Sequence, residues 1–124
     1  MAVPMLKKET FRCIYYWLPV VIYAIFIFRV SSVPGRNIPS LFKGQDVIFH
    51  FFEYAGFSFL ISRAVKEYFP SRSKIIRIVI TLALVFTYAL SDEFHQSLVP
   101  NRTASMFDIK IDTLGSLVGS LLYK

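Results

Sequence analysis

The stretch SDEFHQSLVPNRTASMFD, residues 91–108, separates two apolar runs and decides how this chain folds. It places acids, a histidine, a glutamine and an arginine in a chain that is otherwise strongly apolar. Pro100 and Asn101 lie near its centre, and both residue types are typical of turns. We therefore predict that the chain reverses direction here, and that polar residues before and after the turn lie together at one end of a helix bundle.

The overall composition is that of a membrane protein. Of the 124 residues, 55% are hydrophobic and 17% aromatic, and the mean hydropathy is +0.53, which is high for a soluble domain of this size. The net charge of +6 would favour nucleic acid in a soluble protein, but the basic residues lie between the apolar runs, where they orient a membrane protein. We therefore expect the lipid bilayer, and no nucleic acid, as a partner. Cys13 is the only cysteine, which excludes an intramolecular disulfide.

Four apolar runs predict four transmembrane helices in a single domain, residues 1–124. The first three are CIYYWLPVVIYAIFIF, VIFHFFEYAGFSFLIS and IVITLALVFTYALS. The fourth is short unless it begins at Ser105, where Asp108 three residues later makes a variant capping box. A helix from Ser105 to Lys124 would rise about 30 Å, enough to cross a bilayer. The predicted fold is an all-α membrane protein, a small bundle with helices at roughly 12–30, 46–63, 75–95 and 105–124.

The positions of lysine and arginine predict the orientation of this bundle. With the N-terminus in the cytoplasm, nine of the 14 basic residues lie inside, and six of the eight acids lie outside. The two sides then carry +7 and −1, as the positive-inside rule requires. Both termini are therefore predicted to be cytoplasmic in a multi-pass protein. No convincing A-x-A site follows the first run, so we expect it to be a retained helix and not a cleaved signal peptide.

Helical spacing predicts a polar stripe in the outer half of the second helix. Asp46, His50 and Glu53 stand at positions i, i+4 and i+7, and Tyr54 is beside Glu53. Glu53 would lie about 10 Å below the outer end, where an unpaired carboxylate is costly. It must face the bundle interior, find a positive partner or be protonated. Arg102 is the best candidate partner, because its planar guanidinium can hold one carboxylate in two hydrogen bonds.

The third and fourth predicted helices carry further polar groups. Asp92, His95 and Gln96 are spaced i, i+3 and i+4, which directs them together, whereas Glu93 points elsewhere. Asp108 and Asp112 share a face of the fourth helix. The predicted ligand-binding residues are Asp46, His50, Glu53, Tyr54, Asp92, Glu93, His95, Gln96, Arg102, Asp108 and Asp112.

Small residues in the fourth helix are predicted to bring these groups close to one another. Gly115 and Gly119 have the small-xxx-small spacing that lets two helices approach closely. Packing inside one chain is the favoured interpretation, and a homo-oligomer formed through the same glycines is the alternative. Close approach inside the chain would bring the polar stripes of three helices within reach of one another.

The polar layer also has interpretations that involve no ligand. Buried polar groups must be satisfied in any case, so the layer could serve only to specify helix packing. Two histidines and several carboxylates could bind a divalent metal, but the sequence has no HExxH motif or comparable ligand spacing. We therefore predict no cofactor and no metal ligands, with a divalent metal as the alternative.

Three ordered segments resemble the VanZ-like family of bacterial membrane proteins: RVSSVPG (29–35), DVIFHFFEYAGFSFL (46–60) and SDEFHQSLVPNRTASMFDIKIDTLGSLVG (91–119). They cover about three-quarters of the chain. The last segment is similar to the family's most specific motif, which maps onto Asp92, Glu93, His95, Gln96, Arg102, Asp108 and Gly115. The chain departs from the family pattern at Val47, where a lysine is typical, and at Asp112, where asparagine is more frequent.

The resemblance implies a location in the bacterial cytoplasmic membrane and reduced susceptibility to glycopeptide antibiotics, to teicoplanin more than to vancomycin. It implies no reaction. A binding protein would engage a lipoglycopeptide or a lipid-linked cell-wall intermediate, with Arg102 on its phosphate or carboxylate. A small intramembrane hydrolase or transferase would use His95 as base or nucleophile, oriented by Asp92, with His50 and Glu53 as a second acid/base pair. A structural accessory subunit is the third alternative.

Overall fold

All regular secondary structure is helical in residues 2–124, the part of the chain that the computed structural model describes, with side chains from Pro4 onward. The helices are α1 (Ala2–Ser31), α2 (Gln45–Tyr68), α3 (Lys74–Ser97) and α4 (Met106–Leu122). A single 3-10 turn, Gly35–Asn37, lies between α1 and α2. Over these residues the all-α prediction is confirmed, with no strand.

The helix bounds differ from the predicted ones chiefly at α1, which starts ten residues earlier. The residues before Arg12 contain no interior helix breaker, because Pro4 stands in the first turn, where proline is tolerated. The prediction followed the apolar run alone and so missed this polar extension. α2 and α3 likewise extend beyond their apolar runs, whereas α4 ends at Leu122, two residues before the predicted end.

The central helix is α2, which packs against all three others and most extensively against α4. Within the described residues, α1 contacts α2, contacts α3 only lightly and does not contact α4. The apolar core lies between α1, α2 and α3. Its buried members are Val20, Ile27, Tyr54, Phe57, Ile61, Val65, Val85 and Ala89.

The two ends of the bundle differ in charge, as the sequence predicted. At what we call the basic end, Arg63 donates to the Tyr15 carbonyl at 2.6 Å, and Lys66 donates to the Lys124 carbonyl at 2.6 Å. These contacts bring the first half of α1, the end of α2 and the end of α4 together. The opposite, carboxyl-rich end contains the last turns of α1 and α3 and the first turns of α2 and α4. Its acids are Asp46, Glu53, Asp92, Glu93, Asp108 and Asp112.

Two helices in the described part of the chain are long and apolar enough to cross a membrane. They are Pro4–Ser31, with a mean hydropathy of 1.9, and Lys74–Ser97, with 1.8. The other two helices fall short because α2 carries several charged residues and α4 has only 17 residues. The number of spans and the side on which the termini lie therefore remain predictions.

The start of α4 is held by a residue from another helix. The Ser105 side chain caps α4, as predicted, and accepts a hydrogen bond from the Phe107 N–H at 3.1 Å. A capping box would return the Asp108 carboxylate to the Ser105 N–H. Instead, Glu93 of α3 accepts that hydrogen bond at 2.8 Å, so the variant capping box is wrong and an interhelix contact replaces half of it.

The two glycines of α4 lie directly against the backbone of α2. A methyl group added at Gly115 would overlap the Phe51 carbonyl oxygen, and one added at Gly119 would overlap the Ala55 carbonyl oxygen. Both glycines are buried. The small-xxx-small face predicted from the sequence is thus covered by α2 within one chain.

We expect Gly115→Ala or Gly119→Ala to destabilise the bundle by about 1–3 kcal/mol, because the added methyl group must push α2 and α4 apart. Thermal unfolding of the purified protein in detergent measures this. Gly56→Ala is the matched control, since its new methyl group would meet only the hydroxyl end of the movable Tyr23 side chain. Equal stability of Gly115→Ala and Gly56→Ala would mean that α2 and α4 are farther apart than described.

Candidate functional site

Two adjoining cavities open at the carboxyl-rich end. The first, which we call the apolar cleft, has a volume of about 530 Å³ and lies between the second half of α1 and the first half of α2. The second, the polar chamber, has a volume of about 520 Å³ and lies under the loops that follow α1 and α3. The residues that line both cavities are Ile38, Asp46, His50, Gln96 and Arg102. An apolar space and a polar space therefore meet at a small group of polar side chains.

The apolar cleft has aromatic walls from two helices. Tyr23 and Phe26 of α1 line one side, and Phe49 and Phe52 of α2 line the other. The side chains of Phe26, Phe49 and Phe52 are 54%, 50% and 67% exposed. The cleft is therefore open to the outside of the bundle along its length and is not a closed cavity.

Gln45 shapes the wall of the polar chamber. Its side-chain amide donates to the Pro39 carbonyl at 2.7 Å, and its oxygen accepts from the Leu41 N–H at 2.6 Å. These hydrogen bonds fold residues 38–44 into a compact loop over the start of α2. Gln45 was not among the predicted site residues, because helical spacing along α2 gives no information about contacts with the loop before it.

His50 is held by a carboxylate at the junction of the two cavities. Its Nδ1 lies 2.8 Å from Asp112 Oδ1, across the close contact between α2 and α4. Asp112 is only 1% exposed, so this hydrogen bond is shielded from water. The ring lines both cavities, and its Nε2 has no hydrogen-bond partner among the described residues. Asp112 therefore orients the imidazole from its buried side, and Nε2 is left for a ligand in the cavities.

Three buried carboxylates each use a single oxygen. Asp92 Oδ2 accepts from the Tyr54 hydroxyl at 3.3 Å and from Gln96 Nε2 at 3.1 Å. Glu93 Oε2 accepts from the Ser105 N–H, and Asp112 Oδ1 contacts His50. The second oxygen of each is buried without a hydrogen-bond partner in residues 2–124. These acids lie behind the cavities and do not line them, so the site is backed by a layer of strong acceptors.

Asp46 and Glu53 differ from these three acids because they line the cavities. Glu53 is on the apolar cleft, and Asp46 is at the junction of both. Neither makes a side-chain hydrogen bond or ion pair in the described part of the chain. The stripe predicted on α2 therefore does face the site, with His50 between two unpaired carboxyl groups.

Arg102 holds the end of α1 and does not make the predicted bidentate contact with Glu53. Its Nε donates to the Val33 carbonyl at 3.1 Å, and its Nη2 donates to the Val30 carbonyl at 2.9 Å. Val30 is in the last turn of α1, and its carbonyl also accepts a turn hydrogen bond from the Val33 N–H at 3.2 Å. The guanidinium thus ties the loop after α3 to the last turn of α1 and to the segment that follows it, and its Nη1 has no protein partner among the described residues. Arg102 lines both cavities, so this nitrogen remains for a ligand.

His95 lies apart from the cavities. Its Nε2 is 2.8 Å from the Ser32 hydroxyl, and its ring stacks on Phe28 with centroids 4.4 Å apart. The Ser32 hydroxyl already donates to the Phe28 carbonyl, so His95 Nε2–H is the donor to Ser32. Helical spacing predicted that Asp92, His95 and Gln96 point together, but only Asp92 and Gln96 are hydrogen-bonded to each other. His95 instead ties α3 to α1.

The predicted site residues thus divide into three sets. Asp46, His50, Glu53, Gln96, Arg102 and Asp108 line the cavities. Tyr54, Asp92, Glu93 and Asp112 lie buried behind them, and His95 is on the α1 side of α3. Within residues 2–124, no three or more His, Cys, Asp and Glu side chains converge as metal ligands would. The arrangement can donate and accept hydrogen bonds at the junction and can hold an apolar chain in the cleft.

Comparison with known proteins identifies one family. The VanZ/LLP1 family model matches residues 8–124, essentially the whole chain, which confirms the resemblance seen in the sequence motifs. No curated protein and no solved structure matches the chain.

We expect Glu93→Ala to destabilise the protein by about 1.5–3 kcal/mol, because the Ser105 N–H would lose its charged acceptor at the start of α4. Glu93→Gln keeps an acceptor oxygen in the same place and should retain most of the stability. Thermal unfolding in detergent compares the two variants with the wild type. If alanine and glutamine variants are equally stable, the Glu93 contact does not hold α4.

Proposed function

Since the chain belongs to the VanZ/LLP1 family, we propose that it is a membrane protein that binds an amphiphilic or lipid-linked component of the cell envelope at its carboxyl-rich end. The observation that carries this proposal is the junction of the apolar cleft with the polar chamber at Asp46, His50, Gln96 and Arg102. An amphiphile needs such a junction, because its polar group and its chain require adjoining but different surroundings.

The apolar cleft suits the chain of such a ligand. Its aromatic lining is half exposed, so a chain can enter sideways from the bilayer without crossing the polar chamber. Phe49 and Phe52 alternate with Asp46, His50 and Glu53 along α2, so the polar groups lie beside the space for the chain. The polar group of the ligand would then contact Arg102 Nη1 and His50 Nε2, the nitrogens that the protein leaves without partners.

We propose that all four helices cross the bilayer, α2 and α4 as well as the two apolar helices. Large apolar side chains of α2 face outward, among them Ile48, Phe52 and Phe59. In α4, Leu114, Leu121 and Leu122 do the same, at 51%, 50% and 67% exposure. Such surfaces are costly in water and normal in lipid. The charged groups of both helices are inside the bundle or at its ends.

The resemblance to VanZ-like proteins suggests protection from teicoplanin. Teicoplanin carries an acyl chain and vancomycin does not, so only teicoplanin matches both cavities. Protection would follow from binding either the antibiotic itself or the lipid-linked wall intermediate that lies at the same membrane surface. The proposed localisation is the bacterial cytoplasmic membrane, with both termini and the basic end inside.

We expect expression of the wild type in a sensitive host to reduce susceptibility to teicoplanin more than to vancomycin. His50→Gln should abolish most of this protection, because loss of one charged contact weakens binding roughly tenfold to a hundredfold. Susceptibility is measured alongside the amount of folded membrane protein. His95→Gln is the matched control, since His95 is outside the cavities.

Protection by His50→Gln at the wild-type level, with equal folded protein, would show that the cavity junction is not the functional site. No protection by the wild type would remove the antibiotic from the proposal. Direct binding of teicoplanin or of a lipid-linked wall intermediate to the purified protein would then decide whether the cavities bind an amphiphile at all.

A small hydrolase or transferase is the second candidate, and the His50–Asp112 pair favours it. A histidine whose Nδ1 is oriented by a buried carboxylate, with Nε2 open to a cavity, has the arrangement of a general base. Arg102 Nη1 lies on the same cavities and could stabilise developing negative charge. In this candidate His50 takes the role that the sequence analysis gave to His95.

We expect Asp112→Asn to separate binding from catalysis, because asparagine can still accept a hydrogen bond from His50 but provides no negative charge. A binding protein should keep most of its affinity. An enzyme should lose rate by orders of magnitude while ligand binding persists. Mass spectrometry of the lipid extract from expressing cells shows whether a lipid is chemically altered by the wild type and left unaltered by Asp112→Asn.

A further inference from the structure

A second cleft lies at the basic end, far from the cavities described above. It is small, about 20 Å³, and forms where the end of α2, the start of α3 and the end of α4 meet. Its lining residues are Ser62, Lys66, Lys74, Arg77, Ile78, Thr81, Tyr123 and Lys124. Four cationic side chains from three separate segments therefore surround one depression.

In the part of the chain that the structure describes, no aspartate or glutamate side chain neutralises these cations. The acids of the basic end are Glu9 and Glu67, and Arg12 pairs with both, at 3.4 Å and 3.0 Å. Lys66 donates to the Lys124 carbonyl and lies over the Tyr123 ring, 5.6 Å from its centroid. None of the four cations that line the cleft pairs with an aspartate or glutamate side chain within the described residues.

The floor of the cleft is made of buried hydroxyl groups. Thr81 is fully buried, and Ser62 is 8% exposed. The Ser62 hydroxyl donates to Thr81 Oγ1 at 3.4 Å, a long hydrogen bond that leaves Thr81 free to donate elsewhere. The space above them would hold about one water-sized group. A single oxygen of an anion could thus reach the hydroxyls while the cations surround the rest of it.

This inference rests on the proposal that all four helices cross the bilayer, which places the cleft at the level of a membrane surface. Aromatic side chains typical of the headgroup region surround this end of the bundle, with Trp17 packed on Tyr68 and Tyr15 beside Arg63. The first turn of α3 starts here, so the positive end of its helix dipole adds to the four cations. An anion held in the cleft would be at the depth of lipid phosphate groups.

We propose that this cleft binds a phosphate group, supplied by the headgroup of an anionic phospholipid. The orientation of a membrane protein requires basic residues at this end, but it does not require that they converge from three segments on two buried hydroxyls. Basic pockets between transmembrane helices are a recurrent form of anionic lipid site. A free phosphate has the same chemistry but lacks the acyl chains that would lie against the exposed faces of α3 and α4.

The experiment counts lipids retained by the purified protein in native mass spectrometry from micelles containing phosphatidylglycerol or phosphatidylcholine. We expect the wild type to retain phosphatidylglycerol preferentially. Lys74→Gln should weaken that preference roughly fivefold, and adding Arg77→Gln should weaken it roughly fivefold again, since each basic residue near the surface contributes a similar increment. Arg72→Gln is the matched control, because it removes the same charge from the same end but does not line the cleft.

Arg77 also donates to the Pro70 carbonyl, so its variant could lose stability for another reason. Lys74→Gln makes the test independent of that contact, and thermal unfolding of each variant confirms folding. An equal loss of phosphatidylglycerol retention in Arg72→Gln would overturn the proposal. It would show that the lipid is attracted by the overall positive charge of this end and not bound in the cleft. Displacement of phosphatidylglycerol by inorganic phosphate or glycerol 3-phosphate, or retention of phosphatidylcholine to the same extent, would also overturn the lipid assignment.

Discussion

The carboxyl-rich end depends on the close approach of α2 and α4. Gly115 and Gly119 have no side chains, so the α4 backbone lies against the carbonyls of Phe51 and Ala55. His50 is one residue before Phe51, and Asp112 is three residues before Gly115, so the same approach brings the imidazole within 2.8 Å of the carboxylate. Larger side chains at the two glycines would separate the helices and break the contact that orients His50. The close packing of α2 against α4 and the orientation of His50 therefore depend on the same two glycines.

The sequence predicted the helices and their faces well, because both follow from periodicity. The stripe of Asp46, His50 and Glu53 does face the cavities, and Ser105 does begin α4. The contacts between helices were harder to predict. Spacing along α3 predicted that His95 and Asp92 point the same way. Residues three positions apart on a helix still differ in direction, and His95 points toward α1 instead. The sequence could not show which neighbouring helix each polar residue would meet, and therefore assigned the wrong partners to Arg102 and His95.

The two ends of the bundle use charge in opposite ways. At the carboxyl-rich end, Asp92, Glu93 and Asp112 are buried, and each is bound through one oxygen only. Burying charge in this way is costly, and every contact that they make positions another part of the site, such as His50 or the start of α4. At the basic end the charges are more exposed and face the surface. One end therefore has an internal polar framework, and the other has an exposed basic surface.

α1 shapes the apolar cleft but takes no part in the contact between His50 and Asp112. Within the described residues α1 does not contact α4, yet it forms one whole wall of the apolar cleft. The residues that shape this wall, such as Tyr23 and Phe26, are different from those that hold His50 against Asp112. Substitutions on this face of α1 can thus alter the length or width of the apolar cleft while the polar framework stays intact. On the proposed function, relatives that share the polar residues would differ in the ligands they accept through changes on a single helix face.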